Sequence, residues 1–246
     1  AFSRSAHPKL QAETAFQMFD LKRLTDSGNV AKLAISADGK YIAYVAEEKG
    51  QQSLWLRQRV SGSAVELLPA TERPFIGLSF SPDGNYLYYV LEATAAGQGV
   101  VYRMATLGGP AVKVLENVGS PIAFAPDGQQ FAFVRGETGK AETLLMTAKT
   151  DGDATRVVAQ RMRPSFFTRQ GPSWSPDGKL IACAGGSIVL GKAKMGVLVV
   201  KVADGTPQGF APPNWSWVGQ VAWLPDGSGL ALVSWDEKTP QLIDQF

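Results

Sequence analysis

The stretch FSPDGNYLYYV, residues 80–90, contains a tetrapeptide that the chain repeats. The sequence SPDG at 81–84 is echoed by SADG at 36–39, APDG at 125–128, SPDG at 175–178 and LPDG at 224–227. The five aspartates, at positions 38, 83, 127, 177 and 226, are separated by 45, 44, 50 and 49 residues. Self-similarity at this period is typical of propellers, solenoids and other repeat arrays.

The residues around each tetrapeptide predict a β-hairpin. Short runs rich in Val, Ile, Phe, Tyr and Trp lie on both sides, such as FIGLSFS before SPDG and YLYYVL after it. Such runs indicate strands, and the link between them is too short for a helix. Proline suits the first central position of a type I turn, aspartate the second, and glycine the left-handed residue that closes a bulged hairpin. We therefore interpret the five aspartates as turn residues rather than as ligands or acids.

Two further strands follow most of the hairpins. Third strands are predicted at 53–59, 100–106, 142–148 and 196–202, and fourth strands at 64–68, 111–116, 154–159 and, weakly, 207–212. Four antiparallel strands per repeat form the blade of a β-propeller, so we predict an all-β propeller with five visible repeats. The predicted blades span 28–70, 71–117, 118–160, 161–213 and 214–246 in one domain over 19–246, after a tail or stalk over 1–18.

The fifth repeat is incomplete. It has predicted strands at 217–224, 229–235 and 240–246, while FDLKRLT at 19–25 precedes the first repeat as a lone strand. We predict that 19–25 pairs with 240–246, because this pairing completes the last blade and removes open sheet edges. The alternative is a fragment of a larger propeller.

Composition narrows the classes of function. The chain is 45% hydrophobic and 19% charged, which indicates a folded core, and its net charge of +2 lacks the basic excess of nucleic-acid binders. The single cysteine, Cys183, excludes an intrachain disulfide. No apolar run approaches the roughly 20 residues of a membrane helix, so we expect no membrane contact by this segment itself.

The sequence offers little for catalysis. The one histidine, His7, lies in the tail, and one histidine with one cysteine cannot form a zinc site. Carboxylates after the second strands, such as Glu47, Glu48 and Glu92, could pair across blades as in glycosidases, but they also serve to keep loops soluble. We predict no catalytic residue, no metal and no cofactor.

Ligand binding is expected on the face opposite the tetrapeptide corners. The loops joining second to third strands, and those joining blades, share that face. Residues 160–171 and 185–195 are predicted as its long loops, although SIVL within the second could instead be a strand of an extra hairpin. The predicted ligand-binding residues are Arg73, Arg161, Arg163, Phe167, Arg169, Lys192, Trp215 and Trp217, with Phe166 and Lys194 nearby. Arginine and aromatic residues are enriched at binding hot spots. The alternative is that the aromatics plug blade interfaces while the arginines are solvated or ion-paired.

The repeat resembles a known family. ISADGKYIAYVAEEKGQQSLWLRQRVSGSAVELLP, at 35–69, resembles the TolB-type, WD-like propeller repeat. SLWLRQ at 53–58, GLSFSPDGNYLYYV at 77–90 and SPIAFAPDGQQFAFVRG at 120–136 are similar to extracytoplasmic propeller regions of bacterial membrane-anchored serine/threonine kinases. The resemblance covers residues 19–246. The chain has no kinase motif, neither a glycine-rich loop followed by a lysine strand nor H-R-D or D-F-G, so kinase activity would reside in another segment.

The resemblance implies a non-catalytic binding or sensor module. Its ligand would be a protein or peptide, or a cell-wall or carbohydrate fragment, and its location extracytoplasmic or periplasmic, with a membrane tether in the full-length protein. Two alternatives stay open: an accessory, substrate-gating propeller of a prolyl-oligopeptidase-like hydrolase, and a protein-interaction module like those of the Tol system.

Overall fold

The computed structural model of the chain describes residues 28–136 and 140–235. Over these ranges the chain forms eighteen strands and no helix, and therefore no helix that could cross a membrane. Sixteen strands make four sheets of four antiparallel strands, each in sequence order, and the last two pair with each other. The prediction of an all-β propeller with four-stranded blades is confirmed.

The strands are numbered in chain order. Blade one contains β1 (Val30–Ile35), β2 (Tyr41–Glu48), β3 (Gln51–Gln58) and β4 (Ala64–Thr71). Blade two contains β5 (Phe75–Phe80), β6 (Tyr86–Glu92), β7 (Gly99–Ala105) and β8 (Val112–Val118). Blade three contains β9 (Ala123–Phe124), β10 (Gln130–Arg135), β11 (Glu142–Lys149) and β12 (Arg156–Met162). Blade four contains β13 (Ser165–Trp174), β14 (Leu180–Val189), β15 (Lys192–Lys201) and β16 (Pro207–Trp215). The described part of blade five contains β17 (Trp217–Trp223) and β18 (Leu230–Trp235).

The first strands of the blades surround a common axis. Residues at or beside all five first strands, including Leu33, Leu78, Pro121, Gln170 and Gln220, line one central cavity of about 410 Å³. The inner strands approach closely there: a methyl group on Gly77 would lie 2.5 Å from the Pro121 Cβ atom. Only glycine fits at position 77 without displacing the proline.

Apolar side chains of successive blades form the cores between them. Leu54 of blade one packs with Phe75 of blade two, and Val101 of blade two packs in a second cluster with Phe131 of blade three. Two more clusters join blades three and four and blades four and five. Alternation along each strand therefore buries both faces of the inner blades.

The repeated tetrapeptide forms the corner between the first and second strands. In blade two the Gly84 N–H donates to the Ser81 carbonyl over 2.8 Å, and the Ser81 N–H donates to the Tyr86 carbonyl over 2.9 Å. The same two hydrogen bonds recur at all five corners, between 2.8 and 2.9 Å. Gly84 has φ of 73°, which an L side chain adopts with strain. The turn interpretation of the five aspartates is therefore confirmed.

The corner prolines also connect neighbouring blades. A methyl group on Gly128 would lie 3.6 Å from Pro82 Cγ of the preceding corner, and Gly178 and Gly227 stand in the same relation to Pro126 and Pro176. Blade one has Ala37 at this position, and a methyl group on the next corner glycine, Gly84, would have no neighbour within 4 Å. The P-D-G sequence thus sets the turn and packs it against the next blade.

The first and last sheets each keep an apolar face exposed in the described part of the chain. Ala34 packs toward blade two, so Leu33 and Ile35 point the other way, with 62% and 54% of their surfaces exposed. Val233 of β18 faces away from blade four and is 66% exposed. The predicted pairing of residues 19–25 with residues 240–246 concerns segments outside the described residues.

Candidate functional site

The molecule has two faces of different character. One carries the five tetrapeptide corners and is called the corner face. The other, called the loop face, carries the turns between second and third strands and the connections from blade to blade. Because the corners repeat and serve the fold, variation between blades on the loop face is the better guide to binding.

Blade four extends furthest on the loop face. Ser165–Phe167 of β13 pair with Ser187–Gly185 of β14, and β14 and β15 stay paired up to Val189 and Lys192. The prediction of a long loop at 160–171 was wrong, because β12 ends at Met162 and β13 already begins at Ser165. Pro164 and the nearby arginines resemble a loop in sequence, and the strand forms because the lengthened β14 gives it a partner. For residues 185–195 the hairpin interpretation is the correct one.

A cleft of about 350 Å³ opens between blades three and four on this face. We call it the blade 3–4 cleft. Its lining residues are Val134, Gly136, Lys140, Ala141 and Thr143 from blade three, and Arg163, Phe166, Phe167, Thr168, Arg169 and Ile188 from blade four. These residues combine apolar walls with three cationic side chains, and no Asp or Glu is among them.

Phe167 forms the floor of the cleft. The residue is 2% exposed, and its backbone N–H donates to Thr143 Oγ1 of blade three over 2.9 Å. The guanidinium carbon of Arg161 lies 5.9 Å from the centre of the Phe167 ring, within the range of a cation–π contact. Phe167 therefore joins the two blades and holds Arg161 beside the cleft.

Arg169 ties three blades together. Its Nε donates to the Gly119 carbonyl over 2.7 Å, and one terminal nitrogen donates to the Gly97 carbonyl of blade two. A side chain on Gly97 would overlap the guanidinium, so the glycine makes this approach possible. These two hydrogen bonds fix the position of Arg169. Since a guanidinium carries five N–H donors, the side chain retains donors for a ligand.

Arg163 lies in the two-residue connection between β12 and β13. Its backbone N–H donates to the Ala141 carbonyl over 2.8 Å, which anchors the connection to blade three. Its side chain lines the cleft and is exposed. Over residues 28–136 and 140–235 this guanidinium makes no hydrogen bond or ion pair, so a bound anion would meet all of its donors.

The other predicted site residues lie elsewhere. Lys192 is at the tip of the β14–β15 hairpin, opposite Val189, and Arg73 lies between blades one and two with its Nε donating to the Glu92 carbonyl over 2.9 Å. Trp217 stacks on Trp235 with ring centres 4.1 Å apart, and Trp215 packs against the core between blades four and five. The structure thus brings together Arg163, Phe167 and Arg169, with Arg161 adjacent, and places the remaining four outside the cleft.

Seven cleft residues were missing from the predicted site, among them Val134, Lys140 and Ile188. Val134 is the last but one residue of a second strand, Lys140 precedes a third strand, and Ile188 lies near a hairpin tip. Each belongs to a different segment, and only the packing of blade three against blade four brings them together. Ile188 belongs to the segment 185–195 that was predicted on this face, whereas no local sequence signal marks Val134 or Lys140.

Charge is unevenly distributed over the loop face of the described chain. Blades one and two carry most of its acids: Glu47, Glu48, Glu72 and Glu92. Blades three and four carry most of its cations: Arg135, Lys140, Arg161, Arg163, Arg169, Lys192 and Lys194. The one acid at this end of the described strands of blades three and four is Glu142. The cleft therefore lies in the positive half of the face.

The corner aspartates bind their own turns. Asp83 Oδ1 accepts hydrogen bonds from Ser81 Oγ at 2.5 Å and from the Asn85 N–H at 3.1 Å, which lower the pKa of its carboxyl. The pKa of Asp177 is lowered in the same way by Ser175 and Lys179. In the described ranges, no three His, Cys, Asp or Glu side chains come together as a group that could hold a metal ion. Burial raises the pKa of the Cys183 thiol, which is 1% exposed in the core between blades three and four.

Comparison with known proteins gives structural matches only. No protein-family model and no curated protein sequence matches the chain. Oligogalacturonate lyase in complex with manganese is similar in structure, with a TM-score of 0.65 and 16% identity over 89% of this chain and 63% of the lyase. TolB from Acinetobacter baumannii matches with a TM-score of 0.63 and 20% identity over 82% of this chain, and a nidogen/laminin complex with 0.61 and 12% over 84%.

These likenesses establish the fold. The chain covers 47% of the TolB chain and 72% of the matched chain in the nidogen/laminin complex. The structural part of the sequence resemblance, a TolB-like propeller, is therefore confirmed. At such identities the shared architecture carries no activity from one protein to another.

Proposed function

We propose that this chain is a non-catalytic interaction module that binds an acidic segment of a protein or peptide in the blade 3–4 cleft. The observation that carries the proposal is the described lining of the cleft, which combines the cations Lys140, Arg163 and Arg169 with apolar walls and includes no Asp or Glu. Cationic side chains beside an apolar floor suit a ligand that combines negative charge with an apolar side chain.

The donors of the cleft fit a carboxylate. Arg163 presents a fork of N–H donors, and guanidinium groups bind carboxylates through two parallel hydrogen bonds. Arg169 is held by the Gly97 and Gly119 carbonyls, so its charge is fixed before a ligand arrives. Such preorganisation reduces the entropy that binding costs.

The walls fit one or two apolar side chains. Phe166 and Ile188 provide an aromatic and aliphatic surface above the buried Phe167 and Val134, around a volume of about 350 Å³. This volume is at the lower end of the range for small-molecule sites, which corresponds to a short piece of peptide rather than to a large cofactor.

Two features support a role without catalysis. The thiol of Cys183 is buried among apolar side chains and its pKa is raised, so it is a poor nucleophile. The corner aspartates are engaged in turn hydrogen bonds on the opposite face. The only histidine of the sequence, His7, lies outside the described residues.

The proposed setting follows from the sequence resemblance. Segments such as SLWLRQ at 53–58 support an extracytoplasmic module of a receptor-type serine/threonine kinase. In that setting the propeller would sense a protein or peptide ligand outside the cytoplasm and a kinase segment elsewhere would respond. The reading frame that flanks this sequence tests the setting: a kinase supports it, and a hydrolase domain replaces it with the substrate-gating alternative.

Fluorescence polarisation tests the binding proposal. The probe is a fluorescein-labelled peptide ending in Glu-Asp-Leu-Phe, and its counterpart ends in Gln-Asn-Leu-Phe with an amidated terminus. We expect the acidic peptide alone to bind, and Arg163→Gln to weaken binding about tenfold, since a hydrogen bond to a charged group contributes about 1.5–3 kcal/mol.

Arg73→Gln is the matched control, because it removes an exposed arginine of the same face between blades one and two. Binding that survives Arg163→Gln but is lost in Arg73→Gln would refute the assignment to the cleft. Equal binding of the acidic and amidated peptides would refute the charge argument.

A further inference from the structure

The β14–β15 hairpin projects beyond the corresponding hairpin of blade one. Counted from the corner, β2 has 8 residues and β14 has 10. At about 3.3 Å per residue, the two additional residues move the tip roughly 7 Å further out on the loop face. The tip at Leu190 and Gly191 therefore protrudes beyond the blade 3–4 cleft, which the hairpin lines through Ile188.

An apolar residue occupies the most exposed position of this tip. Leu190 has φ of 51° and is followed by Gly191 with φ of 76°. Its side chain is 99% exposed. Left-handed backbone favours glycine or asparagine, and leucine has no preference for it. Neither the turn nor the core explains a leucine at position 190.

Blade one provides an internal comparison. Its hairpin makes the same turn with Lys49 at φ of 51° and Gly50 at φ of 78°, flanked by Glu48 and Gln51. A polar side chain therefore fits this turn in the same fold. The apolar tip of blade four is a property of its sequence and not of the hairpin geometry.

The neighbours of Leu190 strengthen the pattern. Ile188 and Val189 are 42% and 41% exposed, and Lys192 and Lys194 follow on the returning strand, opposite Val189 and Ser187. No acid occurs in the sequence between residues 178 and 203, so the formal charge of this segment is positive.

We propose that this tip inserts into the surface of an anionic lipid bilayer. Leu190 and Val189 would enter the interfacial region, while Lys192 and Lys194 would lie at the level of negatively charged headgroups. A convex aliphatic tip with flanking lysines fits a lipid surface better than a protein groove, because protein hot spots are enriched in aromatic residues and arginine. The inference revises the expectation that this segment makes no membrane contact, and its key residues, Leu190 and the two lysines, lie outside the blade 3–4 cleft.

Vesicle flotation tests this proposal. The vesicles are phosphatidylcholine alone, or phosphatidylcholine with about 30% phosphatidylglycerol as the anionic lipid. We expect the protein to float with the anionic vesicles only, and Leu190→Asn to weaken the partition at least tenfold, since a leucine side chain no longer leaves water. Asparagine suits the left-handed turn, so this variant keeps its fold, which thermal unfolding checks.

Two controls complete the design. Lys49→Asn makes the same substitution in the equivalent turn of blade one, and Leu107→Ser removes a 72% exposed leucine from the corner face. Both should float like the unaltered protein, whereas the double variant Lys192→Gln, Lys194→Gln should lose the preference for anionic vesicles.

Three outcomes would overturn the proposal. The first is that the unaltered protein does not bind anionic vesicles, which would leave a protein groove as the destination of the tip. The second is that Leu190→Asn binds as well as the unaltered protein, which would mean adsorption by charge alone. The third is an equal loss of binding in Leu107→Ser.

Discussion

The substitution Ser175→Ala tests whether the corner tetrapeptide stabilises the fold or binds a ligand. Ser175 is 4% exposed at the corner of blade four. Its Oγ accepts a hydrogen bond from the Leu180 N–H at 2.9 Å and donates one to Asp177 Oδ1 at 2.6 Å. Alanine removes these hydrogen bonds and a longer one from the Oγ to the Leu180 carbonyl at 3.2 Å, while the backbone turn bonds remain.

The loss of stability in Ser175→Ala comes from the backbone group that is left without a hydrogen-bond partner. The Leu180 N–H is half-buried and loses its acceptor, and a stranded donor of this kind costs about 1–3 kcal/mol. The exposed carboxylate of Asp177 is solvated by water and adds little. We therefore expect Ser175→Ala to lower the free energy of unfolding by about 1–2 kcal/mol, with unchanged affinity for a ligand on the loop face.

The matched control is Ser228→Ala in the corner of blade five. Ser228 is exposed, and its Oγ donates to Asp226 Oδ1 at 2.7 Å. Its loss should change stability by less than about 0.5 kcal/mol. Urea unfolding followed by tryptophan fluorescence measures both variants. A loss in Ser228→Ala equal to that in Ser175→Ala, or a loss of ligand affinity in Ser175→Ala, would refute the structural account of the corners.

Two further predictions concern titratable groups. Hydrogen bonds hold the pKa values of Asp38, Asp83 and Asp177 below the unfolded value of about 3.9, so the folded state favours their ionised forms. Their contribution to stability is present above about pH 4 and should be lost as the pH falls through the lower folded values; a urea midpoint that rises on acidification over this range would contradict it. The buried Cys183 thiol, whose pKa is raised, should react with Ellman's reagent only after unfolding, and rapid reaction of the native protein would show that it is not in the core.

Local chemistry made most of the fold predictable. The corner tetrapeptides and the alternating runs beside them specify turns and strands, so β6, predicted from YLYYVL, and β17, predicted at 217–224, lie within one residue of their predicted bounds. The inter-blade role of Pro82 was not predictable, because its contact with the corner glycine of blade three depends on how two sheets pack.

The candidate site was predictable only where its residues are close in sequence. Arg163, Phe167 and Arg169 lie within seven residues of one another, so a single segment brings them together. Trp217 was expected beside them, yet its nearest aromatic partner, Trp235, is its cross-strand neighbour in β18. Ile188 and Lys140 reach the cleft through strand register and blade packing, which a single sequence does not encode locally.

The corner face holds the blades together, whereas the loop face carries the candidate binding site. On the corner face, repeated hydrogen bonds and proline contacts hold the blades in place. On the loop face, the sequence differs from blade to blade and collects cations around an apolar cleft. A rigid scaffold with variable loops is the general arrangement of binding proteins, and it reduces the cost of ordering the site.

Methyl NMR of the protein titrated with the Glu-Asp-Leu-Phe peptide tests the central claim most directly. The methyl groups of Val134 and Ile188 line the blade 3–4 cleft, whereas Val60 and Leu107 are exposed on the corner face. The account predicts saturable shifts for Val134 and Ile188, with Val60 and Leu107 unchanged. Shifts confined to Val60 and Leu107, or to Leu33 and Leu78 in the central cavity, would contradict it.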